Sequence, residues 1–207
     1  FSLKKEEILD VVDDAVNRFG FKGIVLQSGE DTSYSSEELL DLIREIIDRS
    51  PVFIFLSVGE RDEKFYRDAF EAGARAVLFR FETSDSELYS KLHPHSSLKE
   101  RIRYLELFKD IGYIIASGSL IGLPGQKMES VIDDFLFAKE LGCDMYSFGP
   151  FIPHPDTPLS GHDAPDTEYV LKALSVLRLI DPHGKILVTT ALETIGPQAR
   201  RQALMSG

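Results

Sequence analysis

A chain of 207 residues with 43% hydrophobic side chains can bury one sizeable core, and no run of about 18 apolar residues offers a membrane-spanning helix. A formal charge of −11 argues against a nucleic-acid partner, which needs a basic face, and fits poorly with an anionic lipid surface. The single cysteine, Cys143, leaves no internal disulfide, and no basic, apolar leader is visible at Phe1, so a cytoplasmic setting is expected.

Amphipathic segments alternate with short apolar runs along the chain. Ser2 can cap a first helix whose apolar positions Ile8, Val11, Val12, Ala15, Val16 and Phe19 follow the helical period. Gly23 to Leu26 reads as the first strand. Ser35 and Glu38 have capping-box spacing and open a helix that Pro51 stops; Val52 to Leu56 is the second strand. A helix from about Asp62 to Ala72, closed by Gly73, leads into Ala76-Val77-Leu78, apolar on both faces as in an interior parallel sheet.

The second half repeats the cycle. Helical segments near Ser84 to Leu92 and through Leu98, Ile102, Leu105 and Phe108 precede a fourth strand, Tyr113 to Ser119. A helix from about Ser130 to Leu141 leads into Asp144 to Phe148. A proline-rich loop, a helix from Tyr169 to Leu179 and a sixth strand, Ile186 to Thr189, follow, and a last helix starts at Pro197. Strands alternating with helices predict an α/β fold with a parallel sheet. Six such units predict a partial TIM-type (β/α) barrel, about six of the eight units of the closed form. No internal linker stands out, so residues 1–207 are expected to be one piece of such a barrel.

The chemistry is expected at the carboxyl ends of the strands, where parallel α/β folds bind ligands. Arg80 and Glu82 arrive together where the third strand ends; they read either as a salt bridge at the strand exit or as a pair facing a cleft. After the first strand come Gln27-Ser28-Gly29-Glu30-Asp31, whose carbonyls and carboxylates suit an ammonium group or simply form a solvated turn. Arg101 lies near the start of a helix, where the dipole does not favour a cation; it suits a carboxylate ligand or is an exposed helix arginine. Ser117 to Gln126 holds three glycines at spacings that are not the dinucleotide fingerprint, and allows close approach of a flat ligand beside Leu120 or Ile121. Phe148 to Pro158 reads as a stiff wall over a pocket, and Thr189 and Thr190 offer two hydroxyls.

Together, Leu26-Gln27-Ser28-Gly29-Glu30-Asp31, Arg80-x-Glu82-Thr83, Gly118-Ser119-x-x-Gly122-Leu123-Pro124-Gly125-Gln126 and Gly149 to Leu159 resemble the radical S-adenosylmethionine enzymes. More narrowly, they resemble the group of the FeFe-hydrogenase maturase HydE, biotin synthase and methylornithine synthase. The resemblance covers essentially all 207 residues. It implies S-adenosylmethionine and a 4Fe-4S iron–sulfur cluster as cofactors, and a 5′-deoxyadenosyl radical acting on a small-molecule substrate. It also implies other hydrogenase maturation proteins as partners, while charge and hydropathy lead to the expectation of neither nucleic acid nor membrane. A second member of the group, acting on an amino-acid-like substrate, and a non-catalytic remnant that binds a partner are the alternatives.

By the resemblance, Ser28, Gly29 and Glu30 hold the cofactor's amino group, Glu82 contacts the cofactor, and Arg101 pairs with its carboxylate. Ser119, Ile121, Gly122 and Met145 line the same cofactor pocket, with Ile121 and Gly122 on its adenine side, while Arg80, Thr189 and Thr190 face the substrate. The family's Cys-xxx-Cys-xx-Cys loop is absent, and Cys143 reads as a buried hydrophobe. The cluster's ligands, with the first and last barrel strands, are therefore expected outside this chain. Phe55, Ala76 and Phe81 stand where the group implies a threonine, an arginine and a histidine.

Overall fold

The computed structural model describes residues 3–31 and 33–205. Its elements are α1 (Lys5–Asp13), β1 (Gly23–Gln27), α2 (Ser36–Arg49), β2 (Phe53–Ser57), α3 (Glu63–Ala72) and β3 (Ala74–Leu78). Then come α4 (Ser86–Leu92), α5 (Leu98–Ile111), β4 (Ile114–Ser117), β5 (Leu120–Ile121), α6 (Met128–Glu140), β6 (Met145–Tyr146) and β7 (Gly149–Pro150). The chain closes with α7 (Thr167–Ile180), β8 (Lys185–Ile186), α8 (Leu192–Ile195) and α9 (Ala199–Met205). Six strands form a sheet in the order β1-β2-β3-β4-β6-β8, parallel as expected for a partial TIM-type fold. Among the described residues, no helix is long and apolar enough to cross a membrane.

Local sequence accounts for the element ends. The Ser35 hydroxyl accepts the Glu38 amide while the Glu38 carboxylate accepts the Ser35 amide at 2.8 Å, the reciprocal capping box. Asp62, Asp85 and Asp166 cap α3, α4 and α7 with their carboxylates. The cap assigned to Ser2 lies outside the described residues; α1 starts after Lys4, whose amide donates to the Glu7 carboxylate at 2.7 Å. After α1 the chain continues as one π-helical turn, Asp14–Arg18.

The chain divides into two compact units, one running to Leu78 with Glu106–Ile115, the other comprising Phe79–Leu105 and the chain from Ala116 onward. In the first, Ile43, Ile46 and Ile54 are fully buried, and Tyr66 packs edge-on to Phe108 with ring centres 4.5 Å apart. The Tyr113 hydroxyl donates to the Tyr66 carbonyl at 2.7 Å, so this buried phenol is satisfied. In the second, Phe148 meets Phe135 edge-on at 4.7 Å, and Phe81 meets Phe137 at 5.1 Å.

The expected fourth strand, Tyr113 to Ser119, is broken. β4 ends at Ser117, and β5 pairs with β7 in a separate two-stranded sheet. Two contacts force the break. The Glu82 amide donates to the Gly118 carbonyl and the Leu120 amide to the Glu82 carbonyl, so the backbone of residue 82 occupies the ladder. Gly118 also passes so close to residue 147 that a Cβ there would lie 2.4 Å from the Ser147 carbonyl oxygen. The expected fifth strand, Asp144 to Phe148, is reduced to β6, with β7 beyond its expected end, and the sixth is also shorter than expected, with Leu187 adding one amide bond to the Tyr146 carbonyl.

Candidate functional site

The second unit gathers most of the sequence-derived positions. Glu82 follows β3 with φ 68°, a left-handed conformation that costs a non-glycine residue about 1–2 kcal/mol. Its backbone forms a parallel bridge to Ser119, and its carboxylate meets the Arg80 Nε at 3.3 Å. The second carboxylate oxygen, Oε2, is buried with no hydrogen-bond partner among the described residues.

Arg101 is brought to the same place. Its Nε donates to the Arg80 carbonyl at 2.9 Å, and its guanidinium carbon lies 3.8 Å from the centre of the Phe79 ring. It is half-buried, not the exposed helix arginine that its sequence position allowed. Arg80, Glu82 and Arg101 thus form a cluster of two cations and one carboxylate at a strand exit.

The turn from Leu120 to Gln126 lies beside Glu82, joined to it by the Leu120 amide. Ile121 is fully buried, and Gly122 has φ 86°. A Cβ at Gly122 would meet the Pro165 Cβ at 2.6 Å, so this glycine fits against the proline-rich loop as well as the turn. The Ser119 hydroxyl is buried on the side of Asp134, whose charged form it favours, although it makes no hydrogen bond of full geometry. Met145 is half-buried in β6, in register with Ala116 and Lys185.

The proline-rich loop is a wall at one end only. Phe151 packs with Leu88 and Leu123, and Leu159 joins that cluster, but residues 154–158 are exposed. Thr189 has a buried Oγ1 without a hydrogen-bond partner among the described residues, next to Gly149. Thr190 is exposed and its carbonyl accepts the Glu193 amide at the start of α8. Phe81 lies in the aromatic core, 5.1 Å from Phe137, and Ala76 is fully buried in β3, in register with Phe55.

Ser28, Gly29 and Glu30 belong to the first unit. The Ser28 and Gly29 amides both donate to the Ser57 carbonyl, at 3.1 and 3.2 Å, which ties the ends of β1 and β2 together. The Glu30 carboxylate accepts the Glu60 amide at 2.8 Å, and Arg61 donates to the Asp31 carbonyl at 3.2 Å.

Sequence reasoning missed Asp134, Ser84 and Ser117. Asp134 is fully buried in α6, and burial pushes its carboxyl up against the lowering effect of two contacts from Ser84. The signal was in the helical period: Val131, Asp134, Phe135 and Ala138 share one buried face, and one of the four is charged. Ser117, like Ser119 and Thr189, has a buried hydroxyl with no partner among the described residues.

The sequence profile described as "Radical SAM superfamily" matches residues 1–138. The chain belongs to the radical SAM superfamily. It is 41% identical to the [FeFe] hydrogenase maturase subunit HydE of Thermotoga maritima over 207 residues, covering 100% of this chain and 59% of that protein. It is 32% identical to 3-methylornithine synthase of Methanosarcina acetivorans, over 97% of this chain and 57% of that one. Its fold matches a crystal structure of methylornithine synthase (PylB) with a TM-score of 0.90 at 30% identity, covering 100% of this chain and 61% of that one. The chain therefore spans less than two thirds of these relatives.

Within this superfamily the sulfonium cofactor is zwitterionic at its methionyl end. The described residues fit it: Arg101 is a cation for a carboxylate, and Glu82 Oε2 is a buried acceptor that has no donor among the described residues. They do not fit a 4Fe-4S cluster. The sequence holds one cysteine, and Cys143 lies between α6 and β6, whereas such clusters take several thiolates.

Proposed function

We propose that this chain is the cofactor-binding part of a HydE-like radical S-adenosylmethionine enzyme of hydrogenase maturation, acting on a small-molecule substrate. The observation that carries the reading is Glu82. It combines a left-handed backbone with a buried carboxylate oxygen that has no partner among the described residues, two costs borne by one residue at a strand's carboxyl end. Such strain persists where the surrounding structure enforces it, and it concentrates at ligand-binding positions. The 41% identity to HydE across the whole chain supports the choice within the superfamily.

In this reading Arg101 pairs with the cofactor's carboxylate, held in place by the Phe79 ring and the Arg80 carbonyl. Glu82 accepts a hydrogen bond from the cofactor through Oε2 while Oε1 meets the Arg80 Nε. The resemblance assigns the cofactor's amino group to Ser28, Gly29 and Glu30, which belong to the first unit. Ile121, Gly122 and Met145 give an apolar edge for the adenine, to which Ser119 contributes through its backbone. The chemistry supplied by the bound cofactor is hydrogen-atom abstraction by a 5′-deoxyadenosyl radical. Thr189 and the outer nitrogens of Arg80 face the substrate, with Thr190 beside them. The cluster's ligands, a cytoplasmic setting and contact with other maturation proteins belong to the same proposal for the full-length protein.

The test is anaerobic reconstitution of the full-length protein with iron and sulfide, reduction, and assay for 5′-deoxyadenosine from S-adenosylmethionine. Release of 5′-deoxyadenosine by the wild type and its loss in Glu82→Gln are expected. Absence of the product from a protein that holds its cluster and binds the cofactor would overturn the reading.

A further inference from the structure

The buried face of α6 carries a carboxyl group where the helical stripe calls for an apolar side chain. Asp134 is fully buried between Val131 and Ala138, and charged residues are almost never so buried unless paired. Its partners are neutral donors. Oδ1 accepts both the Ser84 amide and the Ser84 hydroxyl at 2.6 Å, and Oδ2 accepts the Gln126 Nε2 at 3.4 Å.

Those partners lead to two different segments. Ser84 is two residues beyond Glu82, so Asp134 holds the strand exit that carries the strained glutamate. Gln126 clamps the glycine turn: its Oε1 accepts the Gly122 amide at 2.7 Å and the Leu123 amide at 3.2 Å, and its Nε2 donates to the Leu120 carbonyl at 3.0 Å. Two backbone donors on Oε1 fix which way the Gln126 amide faces, and so present an N–H to Asp134. All the groups lie within the second unit.

We propose that Asp134 is a positioning residue that locks the Glu82 strand exit and the Leu120–Gln126 turn into one frame behind the cofactor site. The proposal rests on the reading of that site as the one for S-adenosylmethionine. A carboxylate suits residue 134 because the groups that hydrogen-bond it all donate to it, namely the Ser84 amide, the Ser84 hydroxyl and the Gln126 Nε2, with the Ser119 hydroxyl buried beside them. An asparagine has one acceptor and one donor at its tip, so either orientation sets an NH2 against a donor. A leucine would pack in the stripe and leave Ser84 and Gln126 without their acceptor. Burial of a carboxyl carries a cost that an ordinary core position avoids, and the linkage of two segments is what offsets it.

The experiment compares Asp134→Asn, Gln126→Leu and the double variant in the full-length protein by amide hydrogen exchange and by S-adenosylmethionine affinity. Asp134→Asn should speed exchange in both 83–88 and 120–126 and weaken affinity about tenfold. Gln126→Leu should loosen only 120–126, and adding Asp134→Asn to it should weaken affinity by less than the sum of the single changes. Faster exchange confined to α6, or loosening of both segments with unchanged affinity, would reduce Asp134 to a structural role and overturn the proposal. If Asp134→Asn does not fold, Ser84→Ala with Gln126→Leu reads the same linkage: additive effects on affinity count against it. If the wild type binds no S-adenosylmethionine, the functional reading falls, and the exchange pattern alone decides whether Asp134 ties the two segments.

Discussion

The guanidinium of Arg101 lies over the ring of Phe79, 3.8 Å from its centre, while its Nε donates to the Arg80 carbonyl. One arginine therefore bridges α5 and the exit of β3. The flat aromatic platform and the backbone carbonyl fix the orientation of the guanidinium, and under the proposed reading that preorganisation would lower the entropy cost of binding a carboxylate.

This contact changes what Arg101→Ala should do. A surface arginine would leave stability untouched, but loss of the ring contact and one hydrogen bond should cost about 1–2 kcal/mol. S-adenosylmethionine affinity should fall by roughly one to two powers of ten. Thermal melting beside calorimetry on the full-length protein checks both; an unchanged affinity with a lowered midpoint would make Arg101 purely structural.

The elements that the sequence made legible are those set by local rules. Ser35 with Glu38, Asp62 and Gly73 mark helix ends through side-chain caps and a left-handed turn, and each acts as its residue type predicts. The pairing of Arg80 with Glu82 was also legible, because two charges at the end of an apolar run have few places to go. Non-local contacts were not legible. The break between β4 and β5 depends on the backbone of Glu82 inserting beside Gly118, some 36 residues away in sequence, and no local pattern announces it. Arg101 stacking on Phe79 and Pro165 filling the space above Gly122 are of the same kind. Asp134 was within reach, as a charge on an apolar helical stripe.

Gly122→Ala should destabilise the fold by at least about 1–2 kcal/mol, because φ 86° is costly for alanine and its Cβ would overlap Pro165. Pro165→Gly in the same chain should restore only the part due to overlap, since the backbone angle remains. Chemical denaturation of the single and double variants separates the two contributions; full restoration would show that φ carries no cost there.

The Tyr146 hydroxyl donates to Asp181 Oδ2 at 2.7 Å and holds that carboxyl below its ordinary range, while burial pushes the Tyr146 hydroxyl up. A depressed folded-state pKa gives stability that is present above the unfolded value near 3.8 and is lost as pH falls through the folded value. Tyr146→Phe should therefore cost about 1 kcal/mol at neutral pH, a modest figure because Asp181 is partly exposed. The gap between wild type and variant should close as pH falls below about 4. Denaturation at several pH values measures it; a gap that persists at low pH would assign the loss to packing.

The 207-residue chain, treated anaerobically with iron and sulfide, should remain colourless, because one thiol cannot hold a cubane cluster. Iron and sulfide analysis with visible absorption checks this. Stoichiometric iron with a broad cluster absorption would show that ligands other than cysteine suffice.

The most direct measurement is calorimetric titration of S-adenosylmethionine into the reconstituted full-length protein and its Glu82→Gln variant, with thermal midpoints recorded for both. Gln keeps the shape of the side chain and removes the charge that Arg80 pairs with and that Oε2 presents. The account predicts an affinity lower by roughly ten- to a hundredfold in the variant, with a midpoint near that of the wild type. Equal affinities with a lowered midpoint would contradict it, and would make Glu82 and Arg80 a salt bridge at a strand exit and nothing more.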